Sequence, residues 1–509
     1  MTLAIRSICY GLMIIWAALF FPLPLFGQDP VRDLVVKIHV MRRSPDLLRP
    51  WTTLSPRGAS GSGVVIEGKH ILTNAHVVQY ASQIYVQPNQ SAEKLLARVV
   101  AIAPGIDLAL LKLEEDSPLQ KLGFLPLAEE LPRIKETVNV YGYPAGGAEL
   151  SVTEGIVSRI EFASYYQFTM GLRLQVDAPL NAGNSGGPAV SNGRLVGLVF
   201  SRIPSAQNIG YLIPVEEIRM FLDDVRDGVY DGKPQLLDLM QTVENEALRS
   251  RLGLSRDVGG LMVTRPYRED KDYPLKEWDV ITRIGNQAVD REGKVAIRYD
   301  LRVSALYLVQ QLAKNGKLEL TVQRNGRSSI VGVPVVVQRE LVLPYLMNQN
   351  PRYFIYGPLV LSQATQEYLE RLGDQWERLL ARQASPLLMR RYDKPAFEGE
   401  EIVVVASPMF PHPITKGYDD PNTSVLQEVN GTPVKNLRHL VELLRDTTEP
   451  QVVFKFAKRA SDGQETLVFD RDDIVAATEE ILADNGIRYR YSKDIGEIWE
   501  GARRKASGK

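Results

Sequence analysis

Gly183-Asn184-Ser185-Gly186-Gly187-Pro188 decides how this chain is read, because of what precedes it. Thr73-Asn74-Ala75-His76-Val77-Val78 lies upstream, and Ile106-Asp107-Leu108-Ala109-Leu110-Leu111-Lys112-Leu113 sits between the two. A serine hydroxyl is a poor nucleophile at neutral pH. Hydrolysis through it needs an imidazole to take its proton and a carboxylate to hold that imidazole in the right tautomer. Ser185, His76 and Asp107 supply those three groups. The glycines around Ser185 serve a second need. The oxyanion of a tetrahedral intermediate is stabilised by backbone N–H groups only where no side chain blocks close approach, and Gly183 and Ser185 are the predicted donors.

Each motif is weak alone, and the three in His, Asp, Ser order are not. That order matches the chymotrypsin-like barrels and differs from the orders of α/β-hydrolases and subtilisins. Together with Gly61-Ser62-Gly63-Val64-Val65-Ile66 and the run Asp177-Ala178-Pro179-Leu180-Asn181-Ala182 that leads into the serine motif, these segments resemble the HtrA/Deg family of serine proteases. Asn208-Ile209-Gly210-Tyr211-Leu212-Ile213-Pro214 is similar to the family's Ile-Gly-Phe-Ala-Ile-Pro strand, with Tyr and Leu replacing Phe and Ala.

The local patterns agree. Between Val31 and Phe200, short apolar runs such as Val35 to Val40, Val138 to Tyr143 and Leu195 to Phe200 are punctuated by Gly, Pro, Asn and Asp, which reads as strands and turns. The first amphipathic helix is predicted over Pro214 to Val225, with Val215, Ile218, Phe221, Leu222 and Val225 on one face. The fold expected is mainly β: a chymotrypsin-like double β-barrel over residues 28–228, a linker over 229–235, and two α+β PDZ domains.

The first PDZ domain is placed at 236–340. Gly259-Gly260-Leu261-Met262-Val263, Leu275-Lys276-Glu277-Trp278-Asp279-Val280-Ile281 and Ile284-Gly285-Asn286-Gln287-Ala288-Val289 look like its strands and turns. The resemblance implies a Gly-Leu-Gly-Phe-type loop at Gly259, Gly260, Leu261 and Met262. Its N–H groups would receive a peptide C-terminal carboxylate while the strand from Leu261 adds the peptide as a further strand. A second, divergent copy is placed at 341–486, since Glu428 to Val434 parallels Arg283 to Val289 and Leu437 to Leu444 parallels Ser304 to Leu312. Near its candidate first strand, Tyr356 to Leu361, Gly357-Pro358 puts a proline where a donor N–H is wanted. This layout, with a helical insertion from Tyr368 to Arg391, resembles plant-type Deg proteases, whose second PDZ domain serves assembly. Ile474 to Ala483 reads as a closing helix and residues 487–509 as a charged tail.

Composition sets outer limits. At 509 residues and 44% hydrophobic content the chain must form several globular domains. Its formal net charge of -1 provides no field to attract nucleic acid or anionic lipid. Arg6 followed by an apolar run from Ile8 to Phe21 resembles a secretory signal peptide over residues 1–27, removed on export or retained as an anchor. The single cysteine, Cys9, falls inside it, so cleavage would leave the mature protein no thiol chemistry. His39, His70, His412 and His439 lack partners at metal spacing, so no metal or other cofactor is expected. No Gly-x-x-x-x-Gly-Lys-Ser/Thr loop supports ATP binding.

The function expected is an exported, periplasmic or extracellular, ATP-independent endopeptidase that degrades unfolded or damaged proteins. The alternative is a chaperone or peptide-binding scaffold whose triad is rarely aligned. The resemblance implies homotrimers or their multiples, and an activity switch in the loops near Tyr143 to Leu150, Phe162 to Met170 and Ser201 to Asn208. In chymotrypsin-like enzymes a preference for Lys or Arg needs a carboxylate six residues before the nucleophile, where this chain has Pro179. With Ile209, Gly210 and Leu212 as the opposite wall, the specificity pocket is predicted to be uncharged and to take small or medium apolar residues. Asp177 is assigned to ordering the active-site loop.

Overall fold

The computed structural model describes residues 29–507, apart from 116–117, 122, 146, 203–209 and 458–465. The expected signal peptide, Cys9 and Ile209 lie outside the described residues. Among the described residues, no helix is long and apolar enough to cross a membrane.

Two closed six-stranded barrels come first. The strands of the first are β1 (Val35–Arg42), β2 (Arg57–Ile66), β3 (His70–Thr73), β4 (Ala81–Pro88), β5 (Leu95–Ala103) and β6 (Leu108–Leu113), joined in the order β1-β2-β3-β6-β5-β4. Helix α1 (Ala75–Val78) is a single turn between β3 and β4. The second barrel holds β7 (Thr137–Gly142), β8 (Ser151–Ser164), β9 (Met170–Val176), β10 (Pro188–Ser191), β11 (Arg194–Arg202) and β12 (Gly210–Pro214). Every pairing is antiparallel, and β-branched and leucine side chains such as Val36, Ile38, Val64, Leu72 and Leu111 fill the first barrel. Helix α2 (Val215–Asp224) closes the unit as its periodicity predicts, burying Val215, Ile218 and Phe221.

The middle domain contains β13 (Leu239–Thr242), α3 (Glu246–Leu252), β14 (Leu261–Arg265), β15 (Val280–Ile284), β16 (Gln287–Ala288), β17 (Lys294–Arg298), β18 (Leu301–Ser304), α4 (Tyr307–Leu312), β19 (Lys317–Arg324) and β20 (Arg327–Pro334). Its main sheet runs β13-β14-β15-β19-β20. It is packed firmly on the second barrel. Tyr307 meets Phe162 edge to face at 6.3 Å, its hydroxyl donates to Glu216 at 2.8 Å, and Gln310 Nε2 donates to the Met170 carbonyl at 2.7 Å.

The C-terminal domain has two sheets, β21-β22-β23 and β25-β24-β26-β27. Their strands are β21 (Tyr353–Tyr356), β22 (Leu359–Gln363), β23 (Val403–Val405), β24 (Leu426–Val429), β25 (Thr432–Pro433), β26 (Gln451–Phe456) and β27 (Thr466–Asp470). The insertion forms α5 (Gln366–Leu372), α6 (Asp374–Arg382) and α7 (Pro386–Met389), while α8 (Leu437–Asp446), α9 (Arg471–Asp484) and α10 (Lys493–Ser507) complete the domain. Two sequence expectations change here. The candidate strand Tyr356 to Leu361 is split by a hairpin turn: Gly357, at φ +55°, and Pro358 separate the end of β21 from Leu359 to Leu361, which begin β22. The segment from 487 to 507 is not a free tail: Ile495 and Trp499, one helical turn apart on α10, are buried in the same core as Phe354 and Tyr356.

Candidate active site

Both carboxylate oxygens of Asp107 are hydrogen-bonded to His76. Its Oδ1 accepts the His76 main-chain N–H at 2.8 Å, and its Oδ2 lies 2.7 Å from His76 Nδ1. Asp107 is only 1% exposed and adopts φ +59° after the Pro104-Gly105 turn. The buried Asn74 side chain donates to the Asp107 carbonyl at 2.9 Å, fixing that backbone turn. Burial pushes the Asp107 carboxyl above the usual carboxylate range, against the opposing pull of its bonds to His76. The His76 side chain remains 43% exposed, so the imidazole opens to solvent on the side away from Asp107. Arg42, at the end of β1, donates from its guanidinium to the His76 and Val77 carbonyls at 2.5 and 3.3 Å.

Ser185 is brought to this site from the second barrel. Its carbonyl accepts the Ser62 N–H at 2.9 Å across the barrel interface. Ser62, fully buried, also donates its hydroxyl to the Gly183 carbonyl at 2.9 Å and accepts the Tyr143 N–H at 2.8 Å. Thr73 Oγ1 in turn donates to the Ser62 carbonyl at 2.7 Å. Ser185 itself is half-buried, and no hydrogen bond joins its hydroxyl to His76 among the described residues, as is common before substrate binds.

The peptide between Ala182 and Gly183 has a defined orientation. The Ala182 carbonyl accepts the Ala145 N–H at 2.6 Å, and a trans peptide therefore directs the Gly183 N–H the opposite way. Among the described residues, neither the Gly183 nor the Ser185 N–H has a protein acceptor. Gly183 adopts φ +95°, and a Cβ there would come within 2.4 Å of the Tyr143 carbonyl oxygen and the Ala145 nitrogen, so glycine is required at this position. Asp177 Oδ1 accepts the Ile156 N–H at 2.7 Å, tying the approach to Ser185 onto β8.

Two groups of sequence-predicted residues are placed differently from expectation. Leu212 is fully buried in the core of the second barrel and so cannot line an open pocket. The space left by Gly210 is filled: Leu180 Cδ1 lies 2.2 Å from where a Cβ would stand. Pro179 is exposed, and its carbonyl accepts from Thr153 Oγ1 at 3.2 Å. Leu180 is therefore the apolar side chain that occupies the predicted pocket. In the middle domain, the strand from Leu261 has no free edge, because β14 pairs with β13 on one side and β15 on the other. Gly260 donates its N–H to the Asp290 carbonyl at 3.0 Å, and a Cβ on Gly259 would lie 2.4 Å from the Val289 carbonyl oxygen. The Gly259, Gly260, Leu261, Met262 segment is thus an internal turn and strand, with Leu261 and Met262 buried. The outer strands of that sheet are β13, beside β14, and β20 at the far end.

The chain is similar in sequence to known proteins. Residues 61–198 match a trypsin-like peptidase domain model and residues 342–494 a PDZ domain model. Over 470 residues the chain is 33% identical to Protease Do-like 2, chloroplastic, of Arabidopsis thaliana, covering 91% of this chain and 76% of the relative. The chain belongs to the HtrA/Deg family of Do-like proteases. It is a serine endopeptidase. Protease Do-like 4, mitochondrial, from the same plant is 33% identical over 413 residues, 81% of this chain and 76% of that protein. A solved structure of the HtrA-type protease AlgW with tripeptide aligns at 24% identity with a TM-score of 0.49, covering 61% of this chain and 96% of that one. Sequence reasoning passed over Ser62, Asn74, Arg42 and Leu180. The first two stand inside motifs already quoted, and Leu180 lies one residue after Pro179.

Proposed function

We propose that this HtrA/Deg protease is an exported, ATP-independent enzyme of protein quality control that cleaves unfolded or damaged proteins. The observation that carries its chemistry is the double hydrogen bond of Asp107 to His76 together with the two open N–H groups at Gly183 and Ser185. His76 takes the proton of Ser185 as the hydroxyl attacks a peptide carbonyl, and returns it to the leaving amine. Asp107 holds the proton on Nδ1 so that Nε2 is free to act as the base. The Gly183 and Ser185 N–H groups receive the oxyanion.

The middle domain acts as a PDZ domain beside the C-terminal one, in a plant-type arrangement. Its recognition strand is β13, the edge strand next to β14, and not β14 itself. Support comes from a cleft of about 590 Å³ bounded by Leu239 and Met240 of β13, Phe162 of the protease and Leu306 before α4. An extended peptide C-terminus adds there as a further strand. In the C-terminal domain both edges of β22 are paired, which favours a role in assembly of trimers or their multiples.

A serine-directed phosphonate, together with mass-spectrometric mapping of fragments from an unfolded protein, tests the reading. Labelling at Ser185 and its loss, with all cleavage, in Ser185→Ala is the expected result. Cleavage by Ser185→Ala within tenfold of the unaltered enzyme contradicts the assignment, since loss of the nucleophile costs several orders of magnitude.

A further inference from the structure

Helix α1 is one turn long and has no side-chain cap, yet it carries His76. Shortly after it the chain turns at Tyr80, which adopts φ +56°. What holds this short segment comes from two directions. The end of β1 grips one side: Arg42 binds the His76 and Val77 carbonyls, and the Arg43 N–H donates to the Tyr80 carbonyl at 2.9 Å. The other side is held from far along the chain. The Tyr80 N–H donates to Asn348 Oδ1 at 2.7 Å, and the Tyr80 hydroxyl donates to the Gln349 carbonyl at 3.3 Å.

Asn348 belongs to the connector that enters the C-terminal domain ahead of β21, and that connector is bent in an unusual way. Met347 and Asn348 stand consecutively at φ +48° and +68°, a conformation that costs free energy for residues other than glycine and persists only where surroundings impose it. The first barrel and the C-terminal domain also dock directly on each other. The loop between β1 and β2 packs on the C-terminal domain, with Trp51 against Phe410 at 5.5 Å and Ser407 Oγ donating to the Leu48 carbonyl at 2.6 Å. The connector is thereby fixed against the first barrel at the exit of the histidine segment.

We infer that Asn348 is a positioning residue for the reaction: by accepting the Tyr80 N–H it fixes the segment that holds His76, so the C-terminal domain contributes to catalysis in the same chain. The inference rests on His76 being the general base.

Asn348→Gly is the informative substitution, because glycine accepts φ +68° without strain and the variant loses only the side-chain acceptor. Asn348→Asp keeps an acceptor oxygen at the same place. In the full-length enzyme, N348G is expected to lower kcat about tenfold with KM unchanged and to shift or broaden the low-field proton resonance of the His76 Nδ1–H. N348D is expected to restore both, and Tyr80→Phe, which removes only the weaker contact, to fall between them. Circular dichroism and thermal melting establish that each variant is folded; if N348G is not, the comparison of Tyr80→Phe with N348D decides. A His76→Ala control separates the two readings. Residual activity of H76A within tenfold overturns the base assignment. An inactive H76A beside an N348G with kcat within twofold and an unmoved resonance overturns the positioning role, as does an N348D as impaired as N348G.

Discussion

Asp107→Asn should separate activity from stability, and the structure dictates how. Asp107 Oδ1 receives a main-chain N–H, that of His76, at 2.8 Å. An amide nitrogen cannot accept that bond, so the carbonyl oxygen of the introduced side chain must take the Oδ1 position and its NH2 group the Oδ2 position. The NH2 then faces His76 Nδ1 at about the present 2.7 Å and donates to it. This forces the imidazole proton onto Nε2, the nitrogen needed as the base. Geometry survives, the tautomer is wrong, and kcat should fall about 10⁴-fold, equivalent to ~5.5 kcal/mol of barrier.

The same change removes a buried charge. Asp107 has its folded-state carboxyl pKa raised by burial, so between its unfolded and folded values the native state holds the proton more tightly. Stability therefore falls as pH rises through that window, and the penalty is fully present above it. D107N should lack this dependence: it should match the parent enzyme at about pH 4, near the unfolded carboxyl value, and be the more stable of the two at about pH 8. Steady-state cleavage of an unfolded protein and calorimetric melting at the two pH values read both effects. A kcat within tenfold of the parent refutes the tautomer argument, and a variant less stable at the higher pH refutes the burial argument.

Other perturbations test other parts. Lys233, in the linker, and Glu217 of α2 form an ion pair with side chains 7% and 0% exposed, and Glu217 Oε1 also accepts the Leu172 N–H at 2.7 Å. Lys233→Met leaves that carboxylate buried without its cation and should cost about 3–5 kcal/mol in urea unfolding; a loss below ~1 kcal/mol would show that water reaches the site. Leu180→Ala should open the space above Gly210 and raise the preference for cleavage after Phe over Val by about tenfold, measured as a ratio of kcat/KM on peptides. An unchanged ratio would mean that Leu180 does not border the specificity pocket.

What could be read in advance from the residues divides along a physical line. The His76, Asp107 and Ser185 motifs were legible because the chemistry itself restricts residue type, and their neighbours restrict backbone shape. Gly183 at φ +95° and Gly186 at φ +83° are such shape constraints. The Pro214 to Val225 helix was legible from periodicity. Sheet order was not. Gly259-Gly260-Leu261 has the composition of a recognition loop, but whether β14 offers a free edge depends on β13, a short strand with little hydrophobic pattern that lies well upstream in the chain. Local sequence says which segments extend; only tertiary pairing says which segment is outermost.

The same distinction explains Leu212 and Trp499. Alternation along Gly210-Tyr211-Leu212 cannot tell a pocket wall from a barrel core, because both are apolar, and here the core takes Leu212. Trp499 sits among Glu, Lys and Arg in a stretch whose composition reads as a solvated tail, yet its spacing from Ile495 marks one buried face of a helix. Average polarity there outweighed period, and period was the better guide. Burial of that face draws α10 against α8 and makes the charged stretch part of the C-terminal core. The β1–β2 loop docks on the opposite face of the β21-β22-β23 sheet, where Leu47, Leu48 and Trp51 pack against a second cluster: β21 gives Phe354 and Tyr356 to the first core and Tyr353 and Ile355 to the second. A helix that composition alone assigns to solvent thus covers one face of the sheet whose other face receives the protease domain.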